Sequence, residues 1–332
     1  MLKKGLTLAL PTYNRSRHAA RQLSALISQC QGLDESVRIL VSNNASTDDT
    51  RQALDALAGD ARVKIIHQEK NLGMEGNFQY LINHVATSHV WMTGDDDYLD
   101  DGLVKEVVLA LRHDTEPAWV HIRHMFKSGR DGRITVPDLN PLLKEGFYAD
   151  GEELLKRVID VEGSGLYITA NVYPTGPAQA LLSEWQYNRA MPMALTVRAG
   201  ISGPGYFVKK HSVYGTSQDI HDAWMADPTY ERIYTHDSFE AIRAGAMGIK
   251  TPAWVWKNIH ARRLLNPLTR REYRHHSSAR HALRFTMGCA FAKPSVAWHA
   301  LMLVFSRFTI GVAKRIITAT DRLEQKLFGK TC

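Results

Sequence analysis

A chain of 332 residues with 44% hydrophobic and 23% charged side chains has an ordinary soluble-type composition and enough apolar material for one large core or two modest ones. Its three cysteines, Cys30, Cys289 and Cys332, lie far apart and form no CxxC pair, which argues against a zinc cluster or a disulfide framework. The net charge of +7 is unevenly placed: from Lys257 onward there are 15 Lys or Arg against 3 Asp or Glu, so the basicity belongs to the C-terminal quarter, either as a solvated face or as an attraction to an anionic surface.

The N-terminus offers no small-residue cleavage site of signal-peptide type, so the cytoplasm is the expected compartment. Leu6 to Leu10 reads as a buried strand ended by Pro11, and Val37 to Val41 as a second ended by Ser42-Asn43-Asn44. Between them, Ala20, Leu23, Leu26 and Ile27 recur at helical spacing over Ala19 to Gln29. A second helix is expected over Thr47 to Leu57, with Ser46 or Thr47 as its cap. Val63 to His67 is a third strand, Met74 to Val85 a third helix, and His89 to Thr93 a fourth strand that leads into Gly94-Asp95-Asp96-Asp97. Another helix follows over Leu103 to Leu111.

This alternation predicts an α/β fold, a mostly parallel sheet with helices on both faces, whose ligands gather at the carboxyl ends of the strands. The polar clusters Thr12 to Arg15, Asn43 to Asp49, Asn71 to Asn77 and Asp95 to Asp97 all follow strand ends and can meet in one crevice. Residues 112–256 show short apolar runs among Gly and Pro turns, and the chain from 257 to 332 reads as a basic, mainly helical region.

Three consecutive carboxylates after a strand repel one another unless a cation or hydrogen-bond donors hold them, which points to Mg²⁺ or Mn²⁺ and a diphosphate. Alternation along an extended segment would send Asp95 and Asp97 to one side and Asp96 to the other. The competing account is an acidic start to the following helix.

Taken together, Leu10-Pro11-Thr12-Tyr13-Asn14-Arg15, Val41 to Thr50, Asn71-Leu72-Gly73 with Asn77, and Gly94 to Asp97 resemble the family 2 glycosyltransferases of the GT-A fold over about residues 5–111. The resemblance implies that Pro11, Thr12, Tyr13, Arg15, Asn43, Asn71 and Gly73 line a nucleotide pocket. It also implies that Asp95 and Asp97 form an Asp-x-Asp motif for metal and diphosphate, with Asp96 beside them. Asn43 stands where the family usually has aspartate, and uridine is the first expectation for the base, with thymidine second. The implied reaction is metal-assisted transfer of a sugar, by inversion, from a nucleoside-diphosphate sugar to a hydroxyl of a glycan or lipid-linked acceptor.

No acidic pair stands out as the base for such a reaction. Asp219 and Asp222 are the first candidates, with a helix cap as their plainer role, and Glu152-Glu153 and His236-Asp237 come behind. The apolar stretch Val296 to Ile317 carries Arg307 near its middle, so it fits a helix lying at a membrane interface, or an ordinary buried helix, better than a span. A peripheral contact with the inner membrane face is therefore expected through residues 296–330, and no nucleic-acid partner. The rival readings are a nucleotidyltransferase, which would want a glycine-rich loop after the first strand, and a non-catalytic glycan- or nucleic-acid-binding protein.

Overall fold

The computed structural model describes residues 3–216, apart from 129–130, 137, 139, 161–163 and 186–187, together with 238–246. Two compact units divide the chain: Met1–Tyr230 with Glu240–Lys250, and Glu231–Phe239 with Thr251–Cys332. Nearly all described residues belong to the first, and the basic C-terminal region expected to be helical, the 296–330 stretch, His236-Asp237 and the two base candidates Asp219 and Asp222 lie outside the described residues.

The elements begin β1 (Lys3–Thr12), α1 (Ser16–Gln29), β2 (Val37–Asn43), α2 (Thr50–Asp55), β3 (Val63–His67), α3 (Gly73–His84), β4 (Thr87–Met92), β5 (Tyr98–Leu99) and α4 (Leu103–Leu111). They continue β6 (Trp119–Lys127), β7 (Ile134–Val136), β8 (Gly146–Tyr148), α5 (Gly151–Asp160), two 3-10 turns at Ser164–Leu166 and Ile168–Ala170, and β9 (Asn171–Pro174). Last come α6 (Thr175–Glu184), α7 (Met191–Ser202), β10 (Gly205–Thr216) and α8 (Ser238–Gly245).

One sheet runs in the order β3-β2-β1-β4-β9-β6-β10-β5, with β7 on β6 and β8 on β10. β1, β2, β3 and β4 pair in parallel, as do β6 and β10, while β9 runs antiparallel between β4 and β6. The sheet therefore continues from the first hundred residues into the middle region without a break. β1 is buried along Leu6 to Leu10 because helices cover both faces of a central parallel strand. Leu6, Leu8 and Leu10 pack with Leu23 and Leu26 of α1 and with Val104, Val107 and Val108 of α4. Among the described residues no helix is long and apolar enough to cross a membrane.

Two local expectations change. β1 does not stop at Pro11 but runs to Thr12. Ala9 O accepts from Thr93 N on the β4 side and Thr12 O from Asn44 N on the β2 side. By alternation the proline nitrogen faces β4 beyond their last pair, Ala9 with Met92, where no ladder bond is missed. Pro11 thus sits where β1 and β4 part and the crevice opens.

The second helix begins at Thr50 rather than Thr47 because its first residues are used elsewhere. Ser46 Oγ accepts from Asn14 N at 2.8 Å, Thr47 N donates to Asn14 Oδ1 at 2.8 Å, and Asp48 accepts from Thr50 N at 3.0 Å. These bonds tie the loop after β2 to the loop after β1, with Asn14 in the left-handed region at φ 52°.

Candidate active site

The order of strands reverses at β1, which has β2 and β3 on one side and β4 on the other, so the carboxyl ends of β1 and β4 form the switch-point crevice. Thr12 at the end of β1 donates its hydroxyl to Asp95 Oδ2 at 2.8 Å. Arg15 Nη1 reaches Asp95 Oδ1 at 3.0 Å and Asp96 Oδ2 at 2.8 Å. Asp95 and Asp96 therefore converge on one guanidinium, and simple strand alternation does not describe this turn. Both oxygens of Asp95 are engaged. The salt bridges are half-shielded, with Arg15 40% exposed and Asp95 8%.

Asp97 lies deeper. Its Oδ2 accepts from Thr169 Oγ1, which in turn accepts from Gly94 N at 3.0 Å. Thr169 belongs to the 3-10 turn before β9 and is held there by Trp91 Nε1, which donates to Thr169 O at 2.8 Å. The buried hydroxyl of Tyr167 faces the same carboxylate and has no well-aligned partner. From below, Arg21 Nη2 on α1 donates to Asp95 O at 3.1 Å and Asp97 O at 3.0 Å, and its guanidinium stacks 3.9 Å from the ring centroid of Tyr98. Thr216, at the end of β10, donates to Asp96 O at 3.1 Å.

The electrostatics follow from this packing. Burial, and then the charge of Asp96, push the Asp97 carboxyl well above its ordinary range, with Thr169 and Tyr167 opposing the shift. Burial also raises Asp95, although Arg15 pulls it back. Burial works against the charge of Arg15, but Asp95 and Asp96 outweigh it and hold its pKa up. Two guanidiniums thus face three carboxylates, one of them on carbonyl oxygens only, and the carboxylates remain short of positive charge.

A divalent cation fits that deficit. Thr169 holds one oxygen of Asp97, Tyr167 faces the same carboxylate, and Asp96 lies beside it, so Asp97 and Asp96 are the carboxylates that could hold a metal. Among the described residues no three His, Cys, Asp or Glu are grouped to hold an ion by themselves. Mg²⁺ and Mn²⁺ ordinarily complete their shells with water and substrate phosphate, so one or two carboxylates are the expected protein share.

A second network lies at the ends of β2 and β3. Asn43 Oδ1 accepts from Ser46 N at 3.1 Å, which orients the amide so that Nδ2 donates to His67 Nδ1 at 3.1 Å. His67 Nε2 then carries the proton and donates to Asp55 Oδ1 at 2.9 Å. Asn44 is the hub for the next loop: its Nδ2 donates to Asn71 Oδ1 at 3.0 Å and Gly73 O at 3.1 Å, and its Oδ1 accepts from Leu72 N at 2.8 Å. Gly73 starts α3 at φ +76°, a conformation glycine adopts without strain. Tyr13 stands at the mouth, 42% exposed.

Thr12, Arg15, Asp95, Asp96 and Asp97 thus form one connected cluster, and Asn43, Asn71 and Gly73 a second, joined to it through Asn44 N and Thr12 O. Glu153 is paired with Arg157 one turn along α5 at 2.9 Å. Sequence reasoning missed Arg21, Asn44 as a hub, Tyr167 and Thr169. Arg21 could have been found as a basic residue one and a half turns beyond Arg15 on a helix beneath the acidic turn. Thr169 carries no local signal, being more than seventy residues from the carboxylate it binds.

A family model described as Glycosyl transferase family 2 matches residues 7–157. Abequosyltransferase RfbV of Salmonella typhimurium is 29% identical over 96 residues, a match that covers 28% of this chain and 28% of that protein. Among solved structures, S. aureus TarS 1–349 in complex with UDP-GlcNAc superposes with a TM-score of 0.63 at 17% identity, over 88% of this chain and 82% of that one. The mannosyltransferase PcManGT from Pyrobaculum calidifontis, in complex with GDP-Man and Mn²⁺, superposes at 0.52 and 14% identity, over 98% and 81%. At these identities the structures show a shared fold, a mixed and mostly parallel sheet with helices like that of GT-A glycosyltransferases.

Proposed function

We propose that this chain, whose residues 7–157 belong to glycosyl transferase family 2, transfers a sugar from a nucleoside-diphosphate sugar to a hydroxyl of a glycan or lipid-linked acceptor. The observation that carries the reading is the buried Asp97, with one oxygen clamped, beside Asp95 and Asp96 at the switch point of a parallel sheet. That TarS holds UDP-GlcNAc and PcManGT holds GDP-Man with Mn²⁺ supports a nucleotide-sugar donor and a divalent metal. The name of RfbV supports a sugar-transfer reaction.

In this reading Thr12, Tyr13, Asn43, Asn71 and Gly73 hold base and ribose, and Asp95 fixes Arg15 at the ribose and phosphate side. Asp97 and Asp96 would hold the metal, in place of the Asp95 and Asp97 expected from sequence, since Thr12 and Arg15 take both oxygens of Asp95, and the metal would supply positive charge for the departing nucleoside diphosphate. Arg15 then faces the same oxygens and shares in holding the leaving group. An inverting transfer needs a carboxylate to take the acceptor proton. Asp219 and Asp222 remain the first choices, as acidic residues well after the Asp95 to Asp97 turn in the sequence. UDP is the first choice of nucleotide, dTDP the second, and the basic residues of 296–330 would bring the enzyme to an anionic membrane face.

The test is a thermal-shift panel of UDP, dTDP, GDP and CDP, each with and without Mn²⁺, since a ligand that binds only the native state raises Tm. One diphosphate should stabilise the protein only with metal present, and Asp97→Ala should abolish the effect. No shift from any of them at millimolar ligand would reject the reading and move the binding-protein alternative ahead.

A further inference from the structure

We infer that Thr169 is the positioning residue that presents Asp97 to the metal, by clamping one carboxylate oxygen and the turn that carries it. The inference rests on the transferase reading above and goes beyond it, because the residue lies outside every nucleotide-binding motif.

With Asp97 ionised, as metal binding requires, the direction of each hydrogen bond at Thr169 is fixed. Gly94 N can only donate, so the Thr169 oxygen accepts there at 3.0 Å. The carboxylate of Asp97 accepts, so the single hydroxyl proton is directed to Oδ2. One hydroxyl therefore closes the turn from Gly94 to Asp97. Thr169 is itself immobile: it is fully buried, its carbonyl is anchored by Trp91 Nε1 at 2.8 Å, and its branched Cβ restricts χ1.

Arg21 fixes the backbone of the same turn through Asp95 O and Asp97 O, so rotation of the Asp97 side chain is the freedom that remains. Thr169 removes it. With Oδ2 held, the other oxygen of Asp97 has one orientation, and that is the orientation a cation with near-ideal geometric demands requires. Thr169 is 0% exposed, so it acts through Asp97 and not on a substrate.

The experiment compares wild type, Thr169→Val and Thr169→Ser. Mn²⁺ affinity is read by electron paramagnetic resonance with UDP present, or with whichever of dTDP, GDP or CDP the panel selects, and metal-free binding of the same diphosphate is read by calorimetry. Loss of an outer-shell hydrogen bond typically weakens metal binding about 10- to 100-fold, and that is expected for Thr169→Val, with metal-free nucleotide affinity unchanged. Thr169→Ser should recover Mn²⁺ affinity to within about threefold of wild type, because it restores the hydroxyl.

Mn²⁺ binding by Thr169→Val within about twofold of wild type would overturn the inference. So would a Thr169→Ser variant as weak as the valine, because the methyl group and not the hydroxyl would then be responsible. If the valine variant does not fold, Thr169→Cys, which keeps the volume with a weak donor, takes its place under the same criteria. Failure of the transferase reading is told apart, because it shows in the unmutated protein as the absence of any metal-dependent diphosphate binding, and the inference then falls with it.

Discussion

Replacing Gly94 by alanine puts a methyl group into the space that Asp97 occupies. A Cβ built at Gly94 lies 2.9 Å from Asp97 Cγ and closer still to Oδ2. Comfortable carbon–carbon contact begins at about 3.5 Å, so the carboxyl group must retreat by roughly 0.6 Å or more. It cannot retreat in place, because Thr169 and the carbonyl bonds from Arg21 hold it. The side chain therefore swings out and breaks its bond to Thr169, at a cost of about 1.5–3 kcal/mol for a hydrogen bond to a charged group. Displacements near 1 Å at a reacting centre can lower rates about 100-fold. The expected variant melts several degrees lower, binds Mn²⁺ weakly in the presence of the diphosphate, and loses transfer activity on that scale while still binding nucleotide without metal. Thermal denaturation, Mn²⁺ titration and a sugar-transfer assay measure the three effects. Wild-type Mn²⁺ affinity and rate in Gly94→Ala would refute the packing argument.

Asp97→Asn should abolish metal-dependent diphosphate binding yet stabilise the metal-free protein in alkaline buffer. The raised folded pKa of Asp97 gives a stabilising contribution that is complete below the ordinary carboxyl range and is lost as pH rises from there to about 7, which a melting series from pH 4 to pH 8 would read as a slope absent from the variant. Burial depresses His121 to about 3, with a further push from His124, and depresses His124 to about 4. Both therefore contribute stability above the ordinary histidine value that is lost as pH falls below it, each on the order of 2 kcal/mol by pH 5. His124→Leu should flatten that acid slope, and an unchanged slope would count against the assignment. Asn44→Ala removes the side-chain partner of Leu72 N and Gly73 O and one of the two donors to Asn71 Oδ1, which keeps Gly73 N, and should cost roughly 2–4 kcal/mol by urea denaturation, with nucleotide affinity falling in parallel.

Much of the fold of the first hundred residues was legible in the sequence because its signals are local. Leu6 to Leu10 and Val37 to Val41 are largely apolar, broken only by Thr7 and Arg38, as suits buried parallel strands, and each hands the chain to polar residues at its end. Thr12, Arg15 and Asp95 to Asp97 stood out because they are polar clusters at strand ends, where such a sheet opens its crevice. The length of the second helix was misjudged because Ser46 and Thr47 have the chemistry of caps, and whether they cap or tie two loops depends on Asn14, more than thirty residues away.

What the tertiary structure decided is the division of labour among the carboxylates. Strand alternation groups Asp95 with Asp97 and sets Asp96 apart, and the structure groups them differently. Arg15 from the first loop engages Asp95 and Asp96, while a 3-10 turn before an antiparallel strand brings Thr169 to Asp97. The period of a strand or helix is set by its own residues and can be read along the chain. A carboxylate's charge, orientation and freedom are set by whatever packs against it, and those neighbours are chosen by strand order, which no local pattern encodes.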